Sequence, residues 1–265
     1  MTKVAAVQMV STPSVPENIA TARRLVAEAA AGGAQLVTLP EYWPIMGMSD
    51  ADKVSHAEQP GSGPIQDFMA DTAKEHGIWL IGGTLPLVSP DAARVMNTTL
   101  VYGPDGKPVS RYDKIHLFGF TKGKESYDEA RTIVPGGSVG TFDAPFGRVG
   151  LSVCYDLRFP ELYRAMGDCV LILVPAAFTH TTGMAHWEVL LRARAIENQC
   201  YVLASAQGGT HANGRRTFGH SMLVDPWGEV KAVLNEGEGV VSGDIDLAYL
   251  ASVRESLPAL KHRKM

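Results

Sequence analysis

Three polar residues close apolar runs in this chain, and together they suit the cleavage of an acyl bond. Glu41 follows "QLVTLP" (35–40), Lys114 follows "VSRYD" (109–113) and Cys154 follows "VGLSV" (149–153). Strand ends are where a rigid scaffold presents reactive groups. A cysteine attacks as the thiolate and needs a base or cation beside it. A buried carboxylate can take the thiol proton and later pass it to a departing amine. A fixed ammonium, with the backbone N–H that follows the nucleophile, can hold an oxyanion; one such donor is typically worth about 2.7–4 kcal/mol. Taken singly, each residue also has a structural explanation: Glu41 as a loop carboxylate, Lys114 as a solvated lysine, Cys154 as a packed thiol.

The elements that must carry these groups follow from the apolar pattern. "KVAAVQMV" (3–10) predicts a buried opening strand, and "PENIATARRLVAEAAAGG" (16–33) a helix with Pro near its start and a Gly pair at its stop. A short strand (35–40), a second helix (63–77) and one strand, "IWLIGGTLPL" (78–87), come next. Residues 97–114 read as a hairpin about Pro-Asp-Gly, and 140–156 repeat the form about "APFG". A short helix (158–167) and a buried strand (169–178) precede the best amphipathic run, 184–199, whose expected inner face is Met184, Trp187, Leu190, Leu191 and Ala195. The remaining strands are "CYVLASAQ", "HSMLVDPWGEVKAVL" and "GVVSGDIDL" (239–247), before a basic tail, "KHRKM", expected to leave the core. Strand–helix alternation followed by hairpins predicts an α/β fold with helices packed outside the sheet. With no linker or repeat in 265 residues, one domain spanning 1–265 is expected.

Composition and absent motifs narrow the chemistry. Acidic residues outnumber basic ones 28 to 24, against the basic patch of a nucleic-acid binder, so no nucleic-acid partner is expected. No run approaches a membrane span and the N-terminus has no signal-peptide pattern, so a cytoplasmic protein without a membrane partner is expected. Cys154, Cys169 and Cys200 form no disulfide framework or CxxC pair; the latter two read as packing residues. "GFTKGKES" (119–126) has the wrong spacing and ends for a phosphate loop, and no GxGxxG follows the first strand. The histidines lack metal-ligand spacing, and there is no GxSxG.

"TLPEYW" around Glu41, "YDKIHLF" around Lys114 and "VCYDLRFPEL" around Cys154 resemble, in order and separation, the signature segments of the nitrilase superfamily of carbon–nitrogen hydrolases. The resemblance runs from "AVQM" to "HRK", and "AHWEVLLRARAIENQCYVLASAQGG" with "GHSMLVDPWGEV" is similar to the Nit branch. It implies an αββα sandwich that pairs through a helical layer into a homodimer or higher oligomer, and it implies no metal or organic cofactor. It implies Glu41 as general base, Lys114 as oxyanion-stabilising cation, Cys154 as nucleophile and the N–H of Tyr155 as second oxyanion donor. Glu129, in "SYDEARTIVPG", falls where the family has a second glutamate; otherwise it would be a solvated turn carboxylate. Arg158, Phe178 and Thr179 are candidate pocket residues, Arg158 being equally a candidate for a structural salt bridge. The implied substrate is a small-molecule amide: deaminated glutathione, giving 2-oxoglutarate and cysteinylglycine, or 2-oxoglutaramate in an ω-amidase. A nitrilase acting on nitriles, and a non-catalytic scaffold, are the alternatives.

Overall fold

The computed structural model describes residues 1–123 and 125–264; Lys124, within the discounted phosphate-loop segment, and Met265, at the end of the basic tail, lie outside the described residues. The first part of the chain builds β1 (Thr2–Gln8), α1 (Val15–Ala31), β2 (Leu36–Thr38), α2 (Asp52–Ser55), α3 (Pro64–His76), β3 (Trp79–Ile81), β4 (Leu85–Val88), β5 (Val95–Tyr102) and β6 (Pro108–Asp113). The middle adds the hairpin β7 (Gly119–Lys122) and β8 (Glu125–Asp128), then β9 (Ile133–Val134), β10 (Gly140–Ala144) and β11 (Gly147–Leu151). The last part holds α4 (Pro160–Ala165), β12 (Leu171–Ala176), α5 (His180–Asn198), β13 (Tyr201–Ala206), β14 (Ser221–Val224), β15 (Val230–Leu234), β16 (Gly239–Ile245) and α6 (Leu247–Ser256).

Apart from β7 and β8, which pair only with each other, these strands form two sheets. The first runs β16-β1-β2-β3-β5-β4, with β6 and β9 also paired to β5; the second runs β10-β11-β12-β13-β14-β15. Alternation along β1 shows how they stack: Val4 and Ala6 join the core shared with the second sheet, while Ala5 and Val7 pack under α1 and α3 with Leu25, Val26, Phe68 and Met69. On the far side of the second sheet, α5 contributes Trp187, Leu191 and Ala195 to the core. The layers are therefore αββα, as expected. The helices start where side chains can satisfy the first free N–H groups: Ser14 caps α1, Thr179 caps α5 and Asp246 caps α6.

Several sequence expectations are corrected. The strand expected over 78–87 is two, β3 and β4, which pair with β5 about a corner at Gly82 and Gly83. The main helix begins at His180, because Thr179 caps it. Met184 is turned off its buried line and is 70% exposed, whereas Trp187, Leu191, Arg194 and Ala195 face inward. The expected strand 239–247 ends at Ile245, since Asp246 starts α6, which hydropathy did not reveal. A 3-10 turn spans Ala259–His262, and Lys261, His262, Arg263 and Lys264 are exposed, as expected of the basic tail.

The corner at Gly83 has a purpose for the site. Its φ is +49°, and a Cβ there would run into the carbonyl oxygens of Leu39 and Pro40, the residues that deliver Glu41. Thr84, next in the chain, accepts a hydrogen bond from the Tyr42 N–H at 2.9 Å. Gly83→Ala is expected to destabilise the fold by more than about 1 kcal/mol, read as a lowered denaturant midpoint. An unchanged midpoint would show that the 39–42 segment is not confined by this contact.

Candidate active site

The two sheets meet at the ends of β2, β6, β11 and β12, and the predicted residues gather there. Glu41 lies three residues beyond β2, Lys114 directly follows β6, and Cys154 follows β11 after Ser152 and Val153. Cys154 opens a 3-10 turn (Cys154–Arg158) with φ +51°, and Tyr42, beside Glu41, has φ +57°. Left-handed conformations at non-glycine residues are uncommon and cluster at functional sites. Glu129 opens a second 3-10 turn, after β8.

Lys114 is the centre of the constellation. None of its surface is exposed, and its Nζ lies 2.8 Å from Glu41 Oε1 and 2.8 and 3.0 Å from the two oxygens of Glu129. Each carboxylate is completed by further donors. Glu41 accepts from Asn97 Nδ2 at 3.0 Å and from the Ala177 N–H, after β12, at 2.9 Å. Glu129 accepts from the Tyr42 hydroxyl and the Phe118 N–H, both at 2.7 Å. Glu129 is thus no solvated turn carboxylate. The Glu41 segment, carried by the first sheet, is also tied to the second: Gln207 donates to the Glu41 carbonyl at 3.1 Å and Ser205 to that of Leu39 at 2.7 Å.

The charges set the protonation states. Burial alone would lower the Lys114 pKa, but Glu129 and Glu41 outweigh it and raise it, so the ammonium persists. Burial pushes the Glu129 carboxyl up, yet the charge and hydrogen bond of Lys114 bring it below its usual value. Cys154 goes the other way. Burial drives its thiol well above the ordinary value, and neighbouring Glu41 pushes in the same direction by charge and by hydrogen bonding to the protonated thiol; Lys114 only partly opposes this. The Cys154 thiol is therefore held in its neutral form beside Glu41.

Asp156 fixes the turn that presents the thiol. Fully buried, it accepts from the Val153 N–H at 2.8 Å, the Tyr112 hydroxyl at 2.7 Å and the His116 N–H at 3.0 Å, with His116 Nδ1 at 2.7 Å. One side chain therefore binds the Cys154 turn to the strand and loop that flank Lys114. A tight pocket beside Cys154 is lined by Phe118, Glu129, Tyr155, Arg158, Phe178, Thr179 and Arg215. The predicted pocket residues Arg158, Phe178 and Thr179 are all in its wall, as is Tyr155. Arg158 makes no carboxylate ion pair among the described residues; its guanidinium stacks 5.6 Å from the Tyr155 ring centroid and 5.4 Å from that of Phe178. Cys169 and Cys200 are buried in the core, as packing residues. Among the described residues no group of three His, Cys, Asp or Glu side chains could hold a metal ion, and no helix is long and apolar enough to cross a membrane.

Sequence reasoning missed Asn97, Tyr42, Asp156, Gln207 and Arg215. Tyr42 and Asp156 were within the quoted signature segments, one residue from Glu41 and two from Cys154. Asn97 and Arg215 carry no local signal, because only strand pairing and loop packing bring them to the site.

Comparison with known proteins identifies the family. Residues 3–255 match the carbon-nitrogen hydrolase family. The chain is 40% identical over 274 residues to the omega-amidase NIT2-A of Xenopus laevis, covering 99% of this chain and 95% of the relative. It is 38% identical over 268 residues to the deaminated glutathione amidase of Yersinia enterocolitica, covering 98% and 92%. The crystal structure of the C. elegans NitFhit protein superposes with a TM-score of 0.92 at 39% identity; the match covers 99% of this chain and 65% of that one.

The thiol's protonation state is directly measurable. The difference in ultraviolet thiolate absorbance between the native protein and Cys154→Ser is expected to be absent at about pH 7 and to develop only above about pH 9, because a raised pKa retains the proton through neutrality. A thiolate signal already complete near pH 7 would contradict this.

Proposed function

The chain belongs to the carbon-nitrogen hydrolase family, in the Nit branch of the nitrilase superfamily, and we propose that it is an amidase that cleaves deaminated glutathione through an acyl thioester on Cys154. The observation that carries this reading is the wholly buried Lys114 ammonium held at 2.8 Å by both Glu41 and Glu129 beside the Cys154 pocket. A scaffold with only a packing role has no use for a buried ammonium and carboxylate joined by a second, nearly enclosed carboxylate, since their desolvation is costly.

In the proposed cycle the amide carbonyl lies against Cys154. Glu41 removes the thiol proton as sulfur bonds to the carbonyl carbon, and the carbonyl oxygen becomes an oxyanion. Lys114 Nζ and the N–H of Tyr155, in the first turn after the nucleophile, hold that oxygen. The C–N bond then breaks as Glu41 returns its proton to the amine, leaving the thioester. Water enters where the amine left, gives a proton to Glu41, and attacks the carbonyl carbon; collapse of the second oxyanion releases the acid and restores the thiol. Glu129 holds Lys114 in place throughout. A neutral resting thiol fits this cycle, since proton removal and attack then use one group, Glu41. Phe178, Thr179 and Arg158 line the acyl side, where Arg158 supplies a cation for a 2-oxo acid end.

The ω-amidase reading is retained because a relative of that name is as similar as the deaminated glutathione amidase, and both substrates share the 2-oxo acid end. We place the protein in the cytoplasm, compatible with its three free cysteines, and propose a dimer formed through the α5 layer. Exposed Met184, Val189 and Ile196 on α5, with Trp227 nearby in the chain's later turn, support that pairing; a monomer by light scattering would rule it out.

With both amides assayed side by side, deaminated glutathione is expected to give the higher kcat/KM, and Cys154→Ala to abolish release of 2-oxoglutarate. Glu41→Gln is expected to lower kcat by about 10²–10⁴. A preference for 2-oxoglutaramate would make the protein an ω-amidase, and full activity in Cys154→Ala would remove the nucleophile assignment.

A further inference from the structure

The pocket at Cys154 has a neighbour. A second cavity of about 350 Å³ is walled by Tyr42, Met46, Lys53, Glu125, Tyr127 and Arg215 among others, and Arg215 lines both spaces. The cleavage steps assigned to Glu41, Lys114 and Cys154 make no use of it.

Its wall has unmet bonding capacity. Among the described residues three buried side-chain polar atoms have no hydrogen-bond partner, and two of them, Arg215 Nε and Glu125 Oε2, belong to residues of this cavity. Folded proteins leave few such atoms unpaired, so two in one wall suit this cavity to a polar guest. The Arg215 guanidinium donates to the Ala177 carbonyl at 3.0 Å and lies 5.1 Å from the Tyr127 ring centroid; no carboxylate among the described residues reaches salt-bridge distance of it. Lys53 is almost as enclosed, its side chain 12% exposed. Its Nζ donates to Thr132 Oγ1 at 3.2 Å and sits 5.2 Å from the Tyr42 ring centroid, while its nearest acidic group, Asp50, is 3.6 Å away on a largely exposed side chain. Glu125 uses its other oxygen to accept from Thr181 at 2.8 Å.

We propose that this cavity is a leaving-group subsite, in which Lys53 and Arg215 bind the terminal carboxylate of an amino acid or short peptide released as the amine, and Glu125 accepts a peptide N–H. This rests on the amidase reading of Cys154. The pairing is chemically matched: an arginine fork and a lysine ammonium make charge-assisted bonds to a carboxylate, the strong class of hydrogen bond. The acyl end, beside Arg158 and Phe178, and the amine end, beside Lys53, then occupy the two spaces that Arg215 joins. Asp50 and Glu125 restrict the choice further, because a second negative charge on the leaving group would face them. A primary amide, which releases ammonia, leaves the subsite empty and gains nothing from it.

Binding to Cys154→Ala protein, which cannot form the thioester, isolates the subsite. By calorimetry, deaminated glutathione is expected to bind at least about tenfold more tightly than its C-terminal carboxamide. Adding Lys53→Gln, which keeps a donor for Thr132, is expected to bring the ratio below about threefold, and Lys53→Arg to restore it. Equal binding of acid and carboxamide, or an undiminished ratio with Lys53→Gln in a protein with native thermal unfolding, overturns the proposal. Turnover by the intact enzyme reads the chemistry separately. Hydrolysis without carboxylate discrimination removes the subsite alone, whereas carboxylate-selective binding without hydrolysis of either amide removes the amidase reading and retains the subsite.

Discussion

A lysine ammonium with no exposed surface must be compensated within the protein, and the arrangement around Lys114 meets that requirement with two carboxylates from different parts of the chain. Desolvating such a group costs several kcal/mol unless its partners are close and are themselves satisfied. Glu41 comes from the end of β2 and Glu129 from the turn after β8, so the ion cluster can form only when the first sheet and its flanking loops are in register. The two acids then impose requirements of their own. Asn97 and the Ala177 N–H complete Glu41, the Tyr42 hydroxyl and the Phe118 N–H complete Glu129, and Ala177 brings the second sheet into the same network. The αββα stacking is in this sense the frame that brings the ammonium, its two acids and their donors together.

The same cluster explains why the cysteine is kept protonated. Two carboxylates against one buried ammonium leave the surroundings of Cys154 short of positive charge, and burial adds to the cost of a thiolate. In the proposed cycle attack is therefore coupled to proton transfer, and Glu41, which together with burial raises the thiol pKa, is the group that takes the proton. Once the proton is on Glu41, Lys114 faces one fewer negative charge and can serve the developing oxyanion. Pre-positioned charge of this kind needs no reorganisation during the reaction.

Legibility in the sequence followed the range of the interactions. Glu41 and Cys154 were accessible because each follows an apolar run whose strand character is local, Lys114 because it closes a hairpin strand, and the three segments together carried the family resemblance. Glu129 came from the resemblance alone, since its turn has no distinguishing pattern. Asp156 was in plain view, but its role depends on β6 and β11 ending side by side, a fact of tertiary pairing. Arg215, from a loop, and Lys53, from the single-turn helix α2, reach their cavity from places far apart in sequence, where periodicity says nothing. The errors in the fold have similar origins. A continuous apolar run over 78–87 hides the left-handed corner at Gly83, and α6 was masked because Asp246 reads as the end of a strand until its side chain is seen accepting from the N–H groups of Ala248 and Tyr249.

The most direct test is to capture the covalent intermediate. Native protein mixed with deaminated glutathione, quenched with acid at early times and digested, is expected to carry a 2-oxoglutaryl thioester on the Cys154 peptide, with cysteinylglycine already released in an equal amount. An unmodified Cys154 peptide throughout a time course in which 2-oxoglutarate accumulates, or an acyl group on another residue, would contradict attack by Cys154.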